Sequence, residues 1–246
     1  MIGDSFRIAW IDMRFVRHNL LSILVSCLIS PLLYLIAFGY GLGKGLTVDG
    51  YDYISFMIPG VIALSTLTSC FSNVSTKVMM QRVYYQSFDE LFLCSISPLS
   101  IVLGKSYAGV VRGLISASIL YAIGLAVSSD LELTMSAAIV VVLSCLVFSV
   151  LGVTCGMLAN SHQTQTLVTS LIIMPMTFLC GTLFSIDALP GFAQAIITAL
   201  PLTHTTECIR SAMLGMDFPF VSLLVVIAYG LVFAAVSVVM VNRGRS

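Results

Sequence analysis

Charge is what this sequence lacks. Of its 246 residues only 9% are Asp, Glu, Lys or Arg, where soluble globular domains carry roughly 25%. From Leu133 to Ile186 none of the four occurs. A lipid bilayer is the solvent in which such a run is cheap. One helical crossing takes about 20 apolar residues, so the run holds two crossings, joined by the polar turn Asn160-Ser161-His162-Gln163-Thr164-Gln165. With 59% hydrophobic residues, little chain remains for a soluble domain.

Other absences remove function classes. The net charge is zero and no basic tract or zinc-ligand spacing is present, which leaves no footprint for nucleic acid. The seven cysteines form no C-x-x-C pair and mostly fall inside apolar runs, so they read as small buried hydrophobes, not as a disulfide framework. Gly104-Lys105-Ser106 looks like the end of a phosphate-binding loop, but Leu99 stands where the loop needs its first glycine. Gly39, Gly41, Gly43 and Gly45 alternate at the end of a span and read as a turn. An intramembrane protease or proton relay needs carboxylates at depth, and the apolar runs supply none.

What is present is a pattern of six apolar spans: about Leu20 to Leu42, Ile54 to Ser75, one centred near Leu120, Leu133 to Leu158, Thr166 to Phe184, and Phe220 to Val241. The expected fold is an all-α membrane protein with six transmembrane helices. Arg7, Arg14, Arg17, Lys77, Arg82, Lys105, Arg243 and Arg245 fall on one face of this topology, and Lys44 and Arg210 on the other. Basic residues in short loops stay inside, so both termini are expected in the cytoplasm. The first apolar run is long enough to span, so no cleavable signal is expected.

Three segments outside the spans have distinct characters. Residues 1–18 form an amphipathic helix with Phe6, Ala9, Trp10, Met13 and Val16 on one side and Arg7, Arg14 and His18 on another, Arg17 intruding on the apolar side. Such a helix suits the cytoplasmic interface, with Trp10 at headgroup depth and its arginines near anionic lipid; the plainer reading is a set of positive-inside anchors. Residues 77–100 read as a cytoplasmic helix with a stripe of Tyr84, Phe88 and Leu91 beside Asp89 and Glu90, stopped by Ser97-Pro98, a cap and first-turn pair that starts the next helix. Residues 185–219 are external and broken by Pro190 and Pro201; their apolar pieces are too short to cross and read as a re-entrant or interfacial hairpin ended by Gly215.

Few residues in the spans carry chemistry. Arg112 is the one ionisable group at depth; its side chain either snorkels to the cytoplasmic interface or faces a pore or a partner. Gly109 with Gly113 and Gly152 with Gly156 are natural packing faces, and Pro31 and Pro175 are expected to bend their spans. On the hairpin, His204, Glu207, Cys208 and Arg210 share one helix. Two ligands without a third do not make a metal site, and Glu207 with Arg210 at i+3 reads as an ion pair. A substrate-gating role for His204, Glu207 and Arg210 stays open.

The order of these parts, with Phe56-Met57-Ile58-Pro59-Gly60, Ser97-Pro98-Leu99-Ser100, Leu103-Gly104-Lys105, Cys180-Gly181-Thr182-Leu183-Phe184, Leu189-Pro190 and Leu200-Pro201-Leu202-Thr203-His204 running on to Glu207, Arg210 and Gly215, resembles the permease subunit of type-2 ABC exporters. The resemblance covers nearly the whole chain and is nearest to the branch of nodulation-oligosaccharide, polysaccharide and drug export permeases. It implies a single permease domain over residues 1–246 in a prokaryotic cell membrane, working as a homodimer or heterodimer. A separate ATP-binding subunit would hold ATP and Mg, with no cofactor on this chain and no catalysis by it. It implies that Arg82, Tyr84, Phe88, Asp89, Glu90 and Leu91 form the coupling helix, with Phe88 and Leu91 as apolar anchors in a groove of the ATPase. Phe88 stands where the family pattern often has glycine. The cargo implied is an amphipathic, glycolipid, oligosaccharide or drug-like molecule exported by alternating access. The alternatives are an ion-coupled secondary transporter, which needs ion-binding residues that the spans lack apart from Arg112, and a membrane scaffold that transports nothing.

Overall fold

A computed structural model describes residues 2–18, 20–42, 47–48, 50–93, 96–128, 131–132, 134–182 and 191–245. Lys44, Asp130 and residues 185–190 of the expected hairpin lie outside them. The described chain is helical but for one two-stranded hairpin. Helix α1 (Ile2–His18) is followed by α2 (Leu20–Tyr34), which continues as a π-helical segment, Leu35–Leu42. Strands β1 (Thr47–Val48) and β2 (Tyr51–Asp52) pair antiparallel. Then come α3 (Tyr53–Val83), α4 (Ser87–Leu93), α5 (Pro98–Val127), α6 (Met135–Leu158), α7 (His162–Leu179), α8 (Gly191–Thr198), α9 (Pro201–Leu214) and α10 (Phe220–Arg245).

Four helices are long and apolar enough to cross a membrane: α3, α5, α6 and residues Phe220–Gly244 of α10. Helix α3 is the central post. An unbroken run from Ser55 to Leu67 is buried, as expected of a helix that is apolar all round. Helices α5 and α6 lie against it through small residues. A Cβ on Gly156 would sit 2.6 Å from the carbonyl oxygen of Ser75, and one on Gly152 2.9 Å from that of Phe71. Lipid offers no hydrophobic force to drive helices together, so close approach and buried polar contacts do that work. Ser65 and Ser116 hydroxyls meet at 2.6 Å between α3 and α5, and Thr154 and Ser237 at 2.6 Å between α6 and α10.

Several local readings hold. Ser97 caps α5 by accepting from the Ser100 amide, with Pro98 in the first turn. Ser161 in the expected polar turn caps α7. Gly215 ends α9 in the left-handed region, φ 67°. Pro31 lies inside α2 four residues before the backbone widens into its π-helical turn, and Pro175 lies inside α7. Gly39 and Gly41 belong to that π-helical segment and not to a turn.

The 77–100 helix is the main correction. Lys77 and Arg82 are the tail of α3, which runs on to Val83; the chain reverses at Gln86, φ 53°, and α4 is only seven residues long. Tyr84 therefore belongs to the reversal, and the stripe through Tyr84, Phe88 and Leu91 does not exist as one helical face. A period read over a helix cannot reveal the residue at which that helix folds back.

Replacing Gly156 with Leu forces a side chain against a backbone carbonyl that cannot yield, at a cost of about 1–3 kcal/mol. Gly156→Leu is expected to melt several degrees below wild type in detergent, whereas Gly191→Ala, with nothing within 4 Å of the new methyl, is expected to melt with wild type.

Candidate coupling region and translocation groove

At the end of the bundle that carries Arg7, Lys77 and Lys105, helix α1 packs on α5 instead of lying free. Ile8 is so close that a Cβ on Gly104 would meet it at 2.9 Å. Ile8 and Ala9 are buried, while Phe6 and Trp10, with ring centroids 6.0 Å apart, are exposed on another side. Arg7 and Arg14 are exposed, and the Arg17 side chain lies outside the described residues. The expected single apolar face is thus two, one for protein and one left open. One turn beyond Ile8, Asp12 is 2% exposed. Its carboxylate lies 2.9 Å from Lys77 Nζ of α3 and 3.9 Å from Lys105 Nζ of α5. Lys105 Nζ in turn sits 5.7 Å from the Phe88 ring centroid of α4. Asp12 escaped the sequence reading, although an acidic residue one turn from Ile8 on a basic helix was a signal for it.

Helix α4 is fixed by its interior side. Phe88 is fully buried in a cluster with Ile8, Val78, Ile101 and Val153, its ring 5.7 Å edge-on to Phe92. Leu91 is half-buried against the same cluster. Phe88 is therefore an anchor within this chain and cannot reach a groove on another subunit, which corrects the expected docking face. The open side chains of this region are Tyr84, Tyr85, Glu90 and Leu93; that of Asp89 lies outside the described residues. Arg82 donates to the Ala159 carbonyl at 2.6 Å and to Asn160 Oδ1 at 2.8 Å, tying the tail of α3 to the turn between α6 and α7.

Arg112 has a partner on α3. It donates to Asn73 Oδ1 across the α3–α5 contact, and Asn73 donates its own amide hydrogen to Ser69 O at 3.0 Å. Both residues line one end of a groove of about 460 Å³ walled by α2 and α7 and floored by α3.

At the opposite end three of the quoted motifs converge. Arg210 Nε donates to Phe56 O at 3.3 Å, its Nη2 to Gly181 O at 2.8 Å, and its guanidinium lies 3.7 Å from the Phe56 ring centroid. Gly181 takes φ 63°, which turns the chain after α7, and the Thr182 carbonyl comes so close to Gly60 that no Cβ fits there. The Arg210 charge acts on Glu207, but Glu207 takes a hydrogen bond from another helix. Its Oε2 accepts from Ser222 Oγ of α10 at 2.7 Å and lies 3.7 Å from His204 Nδ1. Arg210 faces α3 because the carbonyls of Phe56 and Gly181 hold it there.

His204 also faces two acceptors. Thr198 O, 2.8 Å from Nε2, can only accept, so Nε2 donates. Ser222 spends its one hydrogen on Glu207, so Nδ1, 3.1 Å from Ser222 Oγ, must donate as well. The network is satisfied by the imidazolium. Hydrogen bonding to Glu207 and the Thr198 carbonyl raises the His204 pKa above 6.5 against the opposing pull of burial. Burial pushes Glu207 up, but His204, Ser222 and Arg210 outweigh it and hold the carboxyl below 4.5. The His204 contribution is complete below pH 6.5 and is lost as pH rises through the raised pKa. The Glu207 contribution is complete above pH 4.5 and is lost as pH falls through the lowered one. The latch joining α8, α9 and α10 is therefore whole between those values. Alkaline pH is expected to accelerate amide exchange in residues 197–206 beyond the intrinsic rate in wild type and not in His204→Gln; identical profiles would contradict the latch.

Residues 8–214 match the model of the ABC-2 type transporter family. The inner membrane transport permease YadH of Escherichia coli K12 is 28% identical over 236 residues, covering 93% of this chain and 92% of that protein. Nodulation protein J of Rhizobium meliloti is 30% identical over 213 residues, 82% and 78% of the two chains, and its counterpart in Rhizobium leguminosarum bv. viciae is 30% identical over 212, 82% and 79%. A family match across most of the chain, joined to four helices that can cross a bilayer, makes this a multi-pass membrane permease belonging to the ABC-2 type transporter family.

Proposed function

We propose that this chain is the membrane half of an ATP-driven exporter in the inner membrane, where two copies pair and each engages a separate ATP-binding subunit. The observation that carries the reading is the build of α4. Its inner side is locked to the bundle by Phe88, while Glu90 and Leu93 on the helix and Tyr84 and Tyr85 in the reversal just before it are open. A short helix anchored on one side, with open aromatic and apolar side chains at its two ends, suits capture in a groove. In this reading α2 with its π-helical extension and α7 complete six spans, the Arg-rich end and both termini are cytoplasmic, and α8 and α9 form the external hairpin. Phe6 and Trp10 of α1 rest in the cytoplasmic headgroup layer beside Arg7 and Arg14. ATP and Mg belong to the partner, and this chain performs no chemistry.

The motion follows from the contacts. A push on α4 reaches Phe88, whose cluster includes α1, α3, α5, α6 and α10, and Lys105 carries it to Asp12. Nucleotide binding then favours whichever orientation of the spans lets the two ATP-binding subunits close, since a ligand moves an equilibrium only through unequal affinity for its states. The cargo is an amphipathic, glycolipid, oligosaccharide or drug-like molecule.

A Tyr85→Asp, Leu93→Asp double variant places charge on the open reversal and on the open end of α4 without touching Phe88. It is expected to insert and fold as wild type, to lose co-purification with the ATP-binding subunit, and to lose ATP-dependent flux in reconstituted vesicles by at least about tenfold. Full co-purification and full flux in the variant would contradict the docking face, and flux that follows an ion gradient with ATP absent would contradict the exporter.

A further inference from the structure

We propose that the groove between α2 and α7 binds an amphiphile with one anionic group, a phosphate or carboxylate, seated on Arg112 with its apolar part lying along α3. The proposal rests on the exporter reading and names the substrate class for it.

The groove carries its charge at one end. Helix α3 floors it from Asn73 back to Leu64, about 13 Å at 1.5 Å per residue. At the Asn73 end stands Arg112; towards the other end Leu64, Ile173 and Phe178 are joined by the uncharged Ser30, Tyr34 and Thr177. Its volume lies within the range of about 300–1,000 Å³ usual for small-molecule sites. Ile29, Leu33, Met174 and Phe178 are exposed on the two walls, so the opening is apolar and a ligand with a hydrocarbon part enters it from lipid without desolvation.

Arg112 supplies the charge complementarity. Among the described residues its hydrogen-bond partner is the neutral Asn73, and no carboxylate lies within ion-pair distance. Asp12, the nearest in effect, is held by Lys77 and Lys105. Because the Asn73 amide is turned back to Ser69 O, Asn73 acts as a bracket that fixes one guanidinium nitrogen and leaves other N–H groups to bind. A guanidinium at membrane depth with only an amide for company is costly, and a planar fork of donors matches two oxygens of a phosphate or carboxylate. A free anion would leave the uncharged end unfilled, and a neutral amphiphile would leave Arg112 uncompensated.

The test is titration of the purified permease, in a neutral maltoside detergent, with dodecyl phosphate, dodecyl glucoside and inorganic phosphate, read by calorimetry and by thermal shift. Dodecyl phosphate is expected to bind about tenfold more tightly than dodecyl glucoside, and inorganic phosphate alone to give no shift. Arg112→Gln is expected to erase the preference, Arg112→Lys to keep part of it, and Arg243→Gln, far from the groove in sequence and exposed, to keep all of it. Should Arg112→Gln fail to fold, Asn73→Ala retains the charge but unfixes it and is expected to weaken the preference. The proposal is overturned by an unchanged preference in Arg112→Gln, by equal protection from inorganic phosphate, or by no binding, the result expected if a second copy of the chain fills the groove. The titration needs no ATP-binding subunit, so its failure leaves the exporter reading standing, and loss of ATP-dependent flux leaves the binding result standing.

Discussion

A carboxylate on α1, shut away from water between an ammonium on α3 and another on α5, is the contact on which the mechanical account depends. Removing one partner of a buried charge pair typically costs about 3–5 kcal/mol because the survivor is stranded. Asp12 thus commits α1 to the bundle. Lys105, held near Asp12 at one side, lies over the Phe88 ring at the other. Two helices that are far apart in sequence, α1 and α4, are thereby made parts of one body. On one side of the charges, Ile8, Val78, Phe88 and Ile101 form an apolar wall that strengthens the electrostatic contacts it lines, while the Lys77 side chain stays 32% exposed.

Above that body the molecule is organised by how closely backbones can approach. Helix α3 gives up nearly all exposure, and α5 and α6 come against it where glycines leave room. The same logic recurs at the far end, where Gly60 lets the Thr182 carbonyl touch α3 and Arg210 ties together carbonyls from α3 and the chain after α7. Between these two sets of close contacts lies the groove along α3, with the Arg112 charge at one end of it.

Much of this was legible in residue order. Scarcity of charge revealed the four helices long and apolar enough to cross a membrane, Ser97-Pro98 and Gly215 gave helix limits that rest on local backbone chemistry, and the paired glycines named the packing faces. What the sequence hid was the direction of side chains on short segments. Phe88 and Tyr84 share an apolar character, yet one is core and the other open, because the reversal at Gln86 breaks the helical period between them. Asp12 escaped notice and Arg112 was left between snorkelling and a pore-facing or paired role; their partners Lys77, Lys105 and Asn73 lie on other helices, and only tertiary contact joins them. Glu207 and Arg210 had the right spacing for a pair, but spacing does not show that they also hydrogen-bond to α10 and α3.

Whether α1 and α4 move as one body is measurable with spin labels at exposed Phe6 and at Ser87, the first residue of α4 and outside the named docking residues, in the reconstituted complex with and without ATP. The account predicts an unchanged Phe6–Ser87 distance on ATP binding, while the distance from Ser87 to a label at exposed Phe220 on the opposite end changes. A Phe6–Ser87 distance that shifts as much as the Ser87–Phe220 distance would contradict it.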